Sequence, residues 1–364
     1  MAEQLKGYGL EVHTGLGVTG VVGVIKGNMS APDSATYKAI GLRADMDALP
    51  MQERNTFEHA SKHSGKMHAC GHDGHTAMLL AACKHLSQHR DFAGTVYAIF
   101  QPAEEGGGGA REMIKDDLFE RFPMDAVFAM HNWPGLALGT FAVSAGPVMA
   151  SSNEFKITVR GKGAHAAMPH MGVDPVPVAA AMIQAFQTII TRNKKPVDAG
   201  VISVTMLNAG EATNVIPNNC EMRGTVRTFT LEVLDMIEAR MREVAQHMAA
   251  AYGAEVDFEF VRNYPPTINS ATEAAFAKDV FAQVVGAGKV CEQEPTMGAE
   301  DFAYMLQAKP GAYIFAGNGE GGHRLIGHGG GPCTLHNPSY DFNDQLIPIG
   351  ATAWVKLVGA ALPA

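Results

Sequence analysis

Met67-His68-Ala69-Cys70-Gly71-His72-Asp73-Gly74-His75 places three histidines, a cysteine and an aspartate within nine residues. Cysteine and histidine are favoured zinc donors, and such a density of them is rare in a packed core. Cys70 and His72 stand two residues apart. On a helix that spacing points them to different faces, whereas on extended chain they share one. The pair therefore reaches a common site only from a strand end or a tight turn. Asp73 suits a helix N-cap, and His75 to Cys83 reads as the helix it starts. The stretch is thus expected to be a strand-to-helix junction carrying ligands. Its plain alternative is a free cysteine acting as a small buried hydrophobe beside core histidines.

Working outward, the neighbouring segments favour the first reading. Gly20 to Ile25 and Ala39 to Arg43 are short apolar runs bounded by turn residues, as strands are. The second runs into Asp45 and Asp47, which taken alone would suit a solvated turn. Gly94 to Phe100 is a continuous apolar run of the kind buried on both faces of a parallel sheet. It leads directly to Glu104 and Glu105, followed by four glycines. Adjacent carboxylates after a buried strand are costly unless a cation or a proton compensates them; the alternative is an exposed acidic turn. Asp125 to Met130 is a further strand, ending at His131. All these metal-capable residues fall at the ends of expected strands, where open α/β sheets form their ligand crevice.

Near residue 152 the pattern changes. Phe155 to Val159 alternates like a half-buried strand. A helix follows from about Pro177 to Thr191, then strands near 201–206 and 220–229, a helix near 231–252 and a strand near 255–261. The order βαββαβ matches the ferredoxin-like split motif. Residues 153–263 are therefore expected to form an inserted small domain, with 1–152 and 264–364 forming one discontinuous α/β domain. Gly317 to Gly331, with His323 and His328, reads as a mobile loop over the site. Two isolated histidines remain: His165 in a loop of small residues, and His336 before the last helix. Either has an ordinary structural reading.

The 364 residues carry a net charge of -9, and 46% of them are hydrophobic, as in a soluble protein with a large core. No long basic run is present, which argues against a nucleic-acid partner. No apolar run is long enough to span a bilayer. The five cysteines are scattered and odd in number, so they form no disulfide framework. The expected compartment is a reducing cytoplasm.

These residues resemble a known family. The motifs RADMDALP (43–50), MHACGHDGHT (67–76), QPAEEGGGGA (101–110), MHNWP (130–134), GKGAHAAMPH (161–170), TNVIPNNCEMRGTVRTF (213–229), GAEDFAYM (298–305) and LHNPSYDFND (335–344) are similar to those of the M20 metallopeptidases. Within that family they look like the amidohydrolase branch of hippurate hydrolases, N-acyl-amino-acid amidohydrolases and auxin-conjugate hydrolases. The resemblance implies a zinc-aminopeptidase-like mixed-sheet catalytic domain with an inserted ferredoxin-like lid that dimerises. It implies metal ligands Cys70, His72, Glu105, His131 and His336, with Glu104 as general base. Asp47 would orient a ligand or steady the base. His165 would reach a neighbouring subunit's site. Asn214 and Arg227 would hold the substrate carboxylate, although Arg223 lies on the same strand face and could take that role.

Two departures from the family pattern stand out. Asp45 occupies a position where many members carry a metal-binding histidine, and Cys70 one where many carry a bridging aspartate. The two divalent ions implied are therefore zinc, manganese, nickel or cobalt. Family chains also usually begin with a helix carrying an arginine- and histidine-containing motif; this sequence is expected to lack it, since Gly7 to Val12 resembles the end of that stretch.

The implied reaction is hydrolysis of an N-acyl amino acid, hippurate-like or N-acetylated, by a homodimer or homotetramer assembled through the lid. A dipeptidase or an N-acetyl-diaminopimelate deacetylase would use the same site. A cysteine hydrolase built on Cys70 and a metal-binding protein without catalysis are the rivals from other classes. A storage site has no need of Glu104.

Overall fold

The structure is a computed structural model that describes residues 1–33 and 35–364. The chain divides into two compact units: Met1–Val148 with Ile268–Glu294 and Asp301–Ala364, and Met149–Thr267 with Pro295–Glu300.

The first unit is built on a mixed eight-stranded sheet. β1 (Glu11–Leu16) and β2 (Gly20–Lys26) form an antiparallel hairpin at one side, and β2 runs antiparallel to β4 (Thr95–Gln101). From there β4, β3 (Ala39–Asp45), β5 (Ala126–Pro134) and the strand Gly311–Gly319 lie side by side and parallel. The shared direction brings the carboxyl ends of β3, β4 and β5 to one edge. Every residue of β3 is buried, as are the last four of β4. Burial on both faces accounts for the unbroken apolar runs. β1, by contrast, buries only Leu16, and its mixed composition concealed it in the sequence.

Helix α2 (His72–Gln88) covers this sheet together with the C-terminal helix Leu346–Ala361. Met78, Leu79, Ala82 and Leu86 meet Trp354, Leu357 and Val358 in one core. Each such large side chain, fully buried, contributes about 1.5–3 kcal/mol. A six-residue helix, α1 (Ala2–Gly7), precedes β1 and seats Leu5 in the same core; the sequence reading placed no helix there.

The second unit has a four-stranded antiparallel sheet, in the order Gly200–Ala209, Asn219–Thr228, Ser152–Arg160, Glu255–Tyr264. Helices Pro175–Thr188 and Leu231–Ala251 pack on it around Phe155, Ile157, Phe186, Met222 and Ile237. Asp174 and Thr230 cap the two helices through their side chains. The unit is wider than the 153–263 interval read from pattern alone. Ala150 N–H donates to the carbonyls of Thr296 and Gly298 at 3.1 and 2.9 Å, a non-local tie with no periodic signature.

Candidate active site

The sequence between Cys70 and His72 folds differently from the strand-to-helix junction expected. No strand precedes Cys70; a long loop after β3 leads straight into α2. Gly71 caps the helix at φ +85°, a left-handed conformation that glycine adopts without cost. Asp73 therefore lies inside the first turn rather than capping it. A side chain at 71 would also have no room, because a Cβ there would sit 2.3 Å from Asn132 Nδ2 and 2.5 Å from Tyr340 Oη. This turn sends both Cys70 and His72 into the protein.

Seven of the residues singled out above converge in the first unit. Cys70 Sγ lies 3.4 Å from His131 Nε2. Ligand atoms of Cys70, Glu105 and His336 lie within 4.8 Å of one another, and so do those of His72, Glu104 and Glu105. His336 Nε2 is 3.0 Å from Glu105 Oε1, and the main-chain N–H of His336 donates to the Ala69 carbonyl at 2.8 Å. Asp47 receives the Glu105 N–H at 3.0 Å and faces His72 Nδ1 at 3.3 Å. Two non-glycine residues here adopt left-handed backbone, Ala103 at φ 52° and His336 at φ 58°. Such conformations cost energy and persist where surrounding contacts impose them. They turn Glu104 and His336 toward the cluster. A cavity of about 430 Å³, walled by Met46, Asp47, Pro102 and Glu105, opens beside it.

The donor atoms are poorly satisfied by the protein itself. Asp47 Oδ1, Glu105 Oε1 and both ring nitrogens of His72 are buried without a hydrogen-bond partner. Their close approaches lack hydrogen-bond geometry. A buried polar atom left in this state costs about 1–3 kcal/mol. Sulfur, imidazole and carboxylate together suit divalent transition metals, and this set fits two such ions.

Electrostatics point the same way. Burial, then Glu105, Glu104 and Asp45, push the Cys70 thiol well above its usual range. Burial alone would lower His72, but Asp45 and Asp47 outweigh it and raise the imidazole to about 9. Burial opposes ionisation of Asp47 too, yet His72 and the backbone N–H groups of 105 and 104 draw its carboxyl down. Protons thus hold the cluster together wherever a cation does not.

A second layer lies behind these atoms, built around Asp45, whose partners sequence reading missed. Arg43, 1% exposed, donates to Asp45 Oδ2 at 2.7 Å, Gln101 Oε1 at 2.9 Å and Asp301 Oδ1 at 3.2 Å. His75 Nδ1 meets the other Asp45 oxygen at 2.6 Å. Both oxygens of Asp45 are therefore engaged behind the cluster. Burial resists its ionisation, but His72, Arg43 and His75 hold its carboxyl well below the usual range. Burial pushes both His75 and His131 down to about 4, which keeps them neutral. The signal available was a lone arginine in an otherwise apolar strand.

His165, Asn214 and Arg227 belong to the second unit. His165 is exposed and pairs with Val215 across a short ladder, and Ala166 N–H donates to the Asn214 carbonyl at 3.0 Å. Ala167 N–H donates to His165 Nδ1 at 3.1 Å, so the neutral ring carries its proton on Nε2. Arg227 is half-buried opposite Val201, and burial lowers its guanidinium although Glu154 opposes the shift. Arg223 is exposed and bonded to Glu221 at 2.9 Å. His323 and His328 lie outside the ligand groups and approach the Asp341 and Gly329 carbonyls at 3.1 and 2.8 Å. No helix among the described residues is long and apolar enough to cross a membrane.

The model of peptidase family M20/M25/M40 matches residues 41–360. The hippurate hydrolase of Campylobacter jejuni is 39% identical over 359 residues, covering 98% of this chain and 89% of its own. The N-acetyl-L-cysteine deacetylase of Bacillus subtilis is 39% identical, with 94% and 78% covered. The IAA-amino acid hydrolase ILR1-like 4 of Arabidopsis thaliana is 37% identical, with 96% and 77% covered. Among solved structures, the Bacillus subtilis YXEP protein, a dinuclear metal binding peptidase of the M20 family, superposes with a TM-score of 0.82 at 33% identity, covering 99% of this chain and 90% of its own.

Proposed function

This chain belongs to peptidase family M20/M25/M40, and from that premise we propose that it is a metal-dependent amidohydrolase cleaving N-acyl amino acids to a carboxylic acid and a free amino acid. The relatives named for hippurate, N-acetyl-L-cysteine and IAA-amino acids support that substrate class. The observation that carries the reading is the meeting of Cys70, His72, Glu104, Glu105 and His336 in overlapping ligand groups, within which Glu105 Oε1 and both ring nitrogens of His72 are buried without a hydrogen-bond partner.

Cys70, His72, Glu105, His131 and His336 are the residues we assign to two divalent ions, with zinc, manganese, nickel or cobalt as candidates. When bound, such ions polarise an amide carbonyl and lower the pKa of water toward 7. Glu104 is buried beside Glu105 and is assigned to proton transfer: it takes a proton from the attacking water and returns one to the departing amine. Asp47 holds the Glu104–Glu105 turn through the Glu105 N–H and faces His72. His165, with its Nε2 proton available, is assigned to the substrate's amide oxygen. Asn214 and Arg227 are assigned to its carboxylate. The second unit is read as a lid and as the contact through which copies assemble into a dimer or tetramer, in a cytoplasmic setting.

A panel of N-acyl amino acids, including hippurate and N-acetyl amino acids, assayed with each metal in turn, tests the proposal. Hydrolysis is expected with at least one acyl class, abolished by EDTA and restored by metal. Activity that survives EDTA would favour a thiol enzyme built on Cys70. Loss of all N-acyl amino acid turnover, with dipeptides cleaved instead, would move the assignment to a dipeptidase.

A further inference from the structure

Asn132 uses its main-chain and side-chain polar groups on parts of the ligand cluster. One side-chain proton goes to the Cys70 carbonyl at 2.7 Å and the other toward His75 Nε2 at 3.0 Å. Its main-chain N–H donates to the same His75 nitrogen at 2.9 Å. Its carbonyl accepts from His131 Nδ1 at 2.6 Å, and its Oδ1 accepts the Tyr340 hydroxyl at 2.7 Å. Asn132 is fully buried and Tyr340 nearly so. The amide orientation follows from these partners: a carbonyl and an unprotonated imidazole both demand donors, and a phenol demands an acceptor. His75 is left with its proton on Nδ1, facing Asp45 Oδ1 at 2.6 Å.

Two consequences bear on the cluster. With Nδ1–H committed to the Asn132 carbonyl, His131 presents a bare Nε2, the atom that lies 3.4 Å from Cys70 Sγ. With the Cys70 carbonyl held by the side-chain amide, the cysteine cannot swing about the left-handed Gly71, against which that amide is packed. We propose that Asn132, anchored by Tyr340, is the positioning residue that aims the Cys70 sulfur and the His131 Nε2 at the metal pair. This rests on the assignment of Cys70 and His131 as ligands. Partners one layer behind a ligand typically change metal affinity 10- to 100-fold, and a fully satisfied buried network tolerates little rearrangement.

Cobalt(II) is the probe, because a thiolate ligand gives it a sulfur-to-metal charge-transfer absorption that other donors do not. The full chain is stripped with chelator and titrated with cobalt alongside Asn132→Ala, Asn132→Asp, Tyr340→Phe and Cys70→Ser. Asn132→Ala and Asn132→Asp should bind cobalt about 10- to 100-fold more weakly, with the band displaced or diminished. Tyr340→Phe should show the same change to a smaller degree. A purely structural asparagine would lower the stability of the chelated protein yet leave affinity and band as in the parent; that result overturns the proposal. Cys70→Ser separates the two levels. If the band persists without Cys70, the ligand assignment itself fails. If it vanishes there but is untouched in the Asn132 variants, only the positioning role fails. Should both Asn132 variants fail to fold, Tyr340→Phe decides by the same two readouts.

Discussion

The guanidinium of Arg43 and the carboxylate of Asp45, two residues apart on one buried strand, meet at 2.7 Å with both side chains about 1% exposed. Burying an ion pair gains little unless further hydrogen bonds complete it. Here they do, through Gln101, Asp301 and His75. Arg43→Met would leave Asp45 and Asp301 buried without their shared cation. The expected loss is about 3–5 kcal/mol of folding stability, read by urea unfolding of the chelated protein. A loss under 1 kcal/mol would mean that water or a proton replaces the arginine without strain.

Glu104 and Glu105 divide two tasks that one carboxylate cannot perform together: one remains a ligand while its neighbour moves a proton. Glu104→Gln keeps the shape and removes the base. Metal content, measured by atomic emission, should match that of the parent. Turnover should fall by a factor of about 10²–10⁴, the usual contribution of a positioned acid–base group. Near-normal turnover with full metal would sink the assignment.

His165 is held as an Nε2–H donor by the Ala167 N–H. If that proton meets the developing oxyanion, His165→Ala should lower kcat about 10²- to 10³-fold with little change in KM. Asn214→Ala should do the opposite, raising KM more than it lowers kcat, because a carboxylate clamp acts on substrate and transition state alike. Steady-state kinetics on one N-acyl amino acid separate the cases; equal effects of both variants on KM alone would remove His165 from the chemistry.

The strands that carry the site were legible because burial on both faces leaves a mainly apolar run, as in β4 and in the Ala39–Leu42 part of β3. The donors at their ends were legible because carboxylates and histidines beside such runs have no other inexpensive reason to be there. What lay hidden was set by partners far apart in sequence. His75 sits inside the decisive stretch, yet its role depends on Asp45 and Asn132, 30 and 57 residues away. Tyr340 reaches Asn132 across 208 positions. Asp73 was misread as the cap because local propensity favours it, whereas packing against Asn132 and Tyr340 requires a glycine at 71 and lets the helix begin at once.

From about pH 6.5 to about 8, stability should depend on pH with opposite sign in the metal-free and metal-filled protein. His75 and His131 have folded pKa values of about 4 against about 6.5 unfolded. Between those values the unfolded chain binds more protons, so metal-free stability rises with pH. His72 is the reverse, at about 9 folded against about 6.5 unfolded. Its contribution is complete below about 6.5 and is lost as pH climbs through about 9. The Cys70 thiol, raised by burial and the neighbouring carboxylates, extends that decline. Bound metal requires His72 and Cys70 deprotonated. From about pH 6.5 to about 8, the native state then holds fewer protons than the unfolded chain, chiefly at Cys70, and stability should rise. Urea midpoints at several pH values, with chelator and with saturating zinc, measure both slopes. Parallel slopes would mean that metal displaces no proton from this cluster, and the ligand roles of both residues would be lost together.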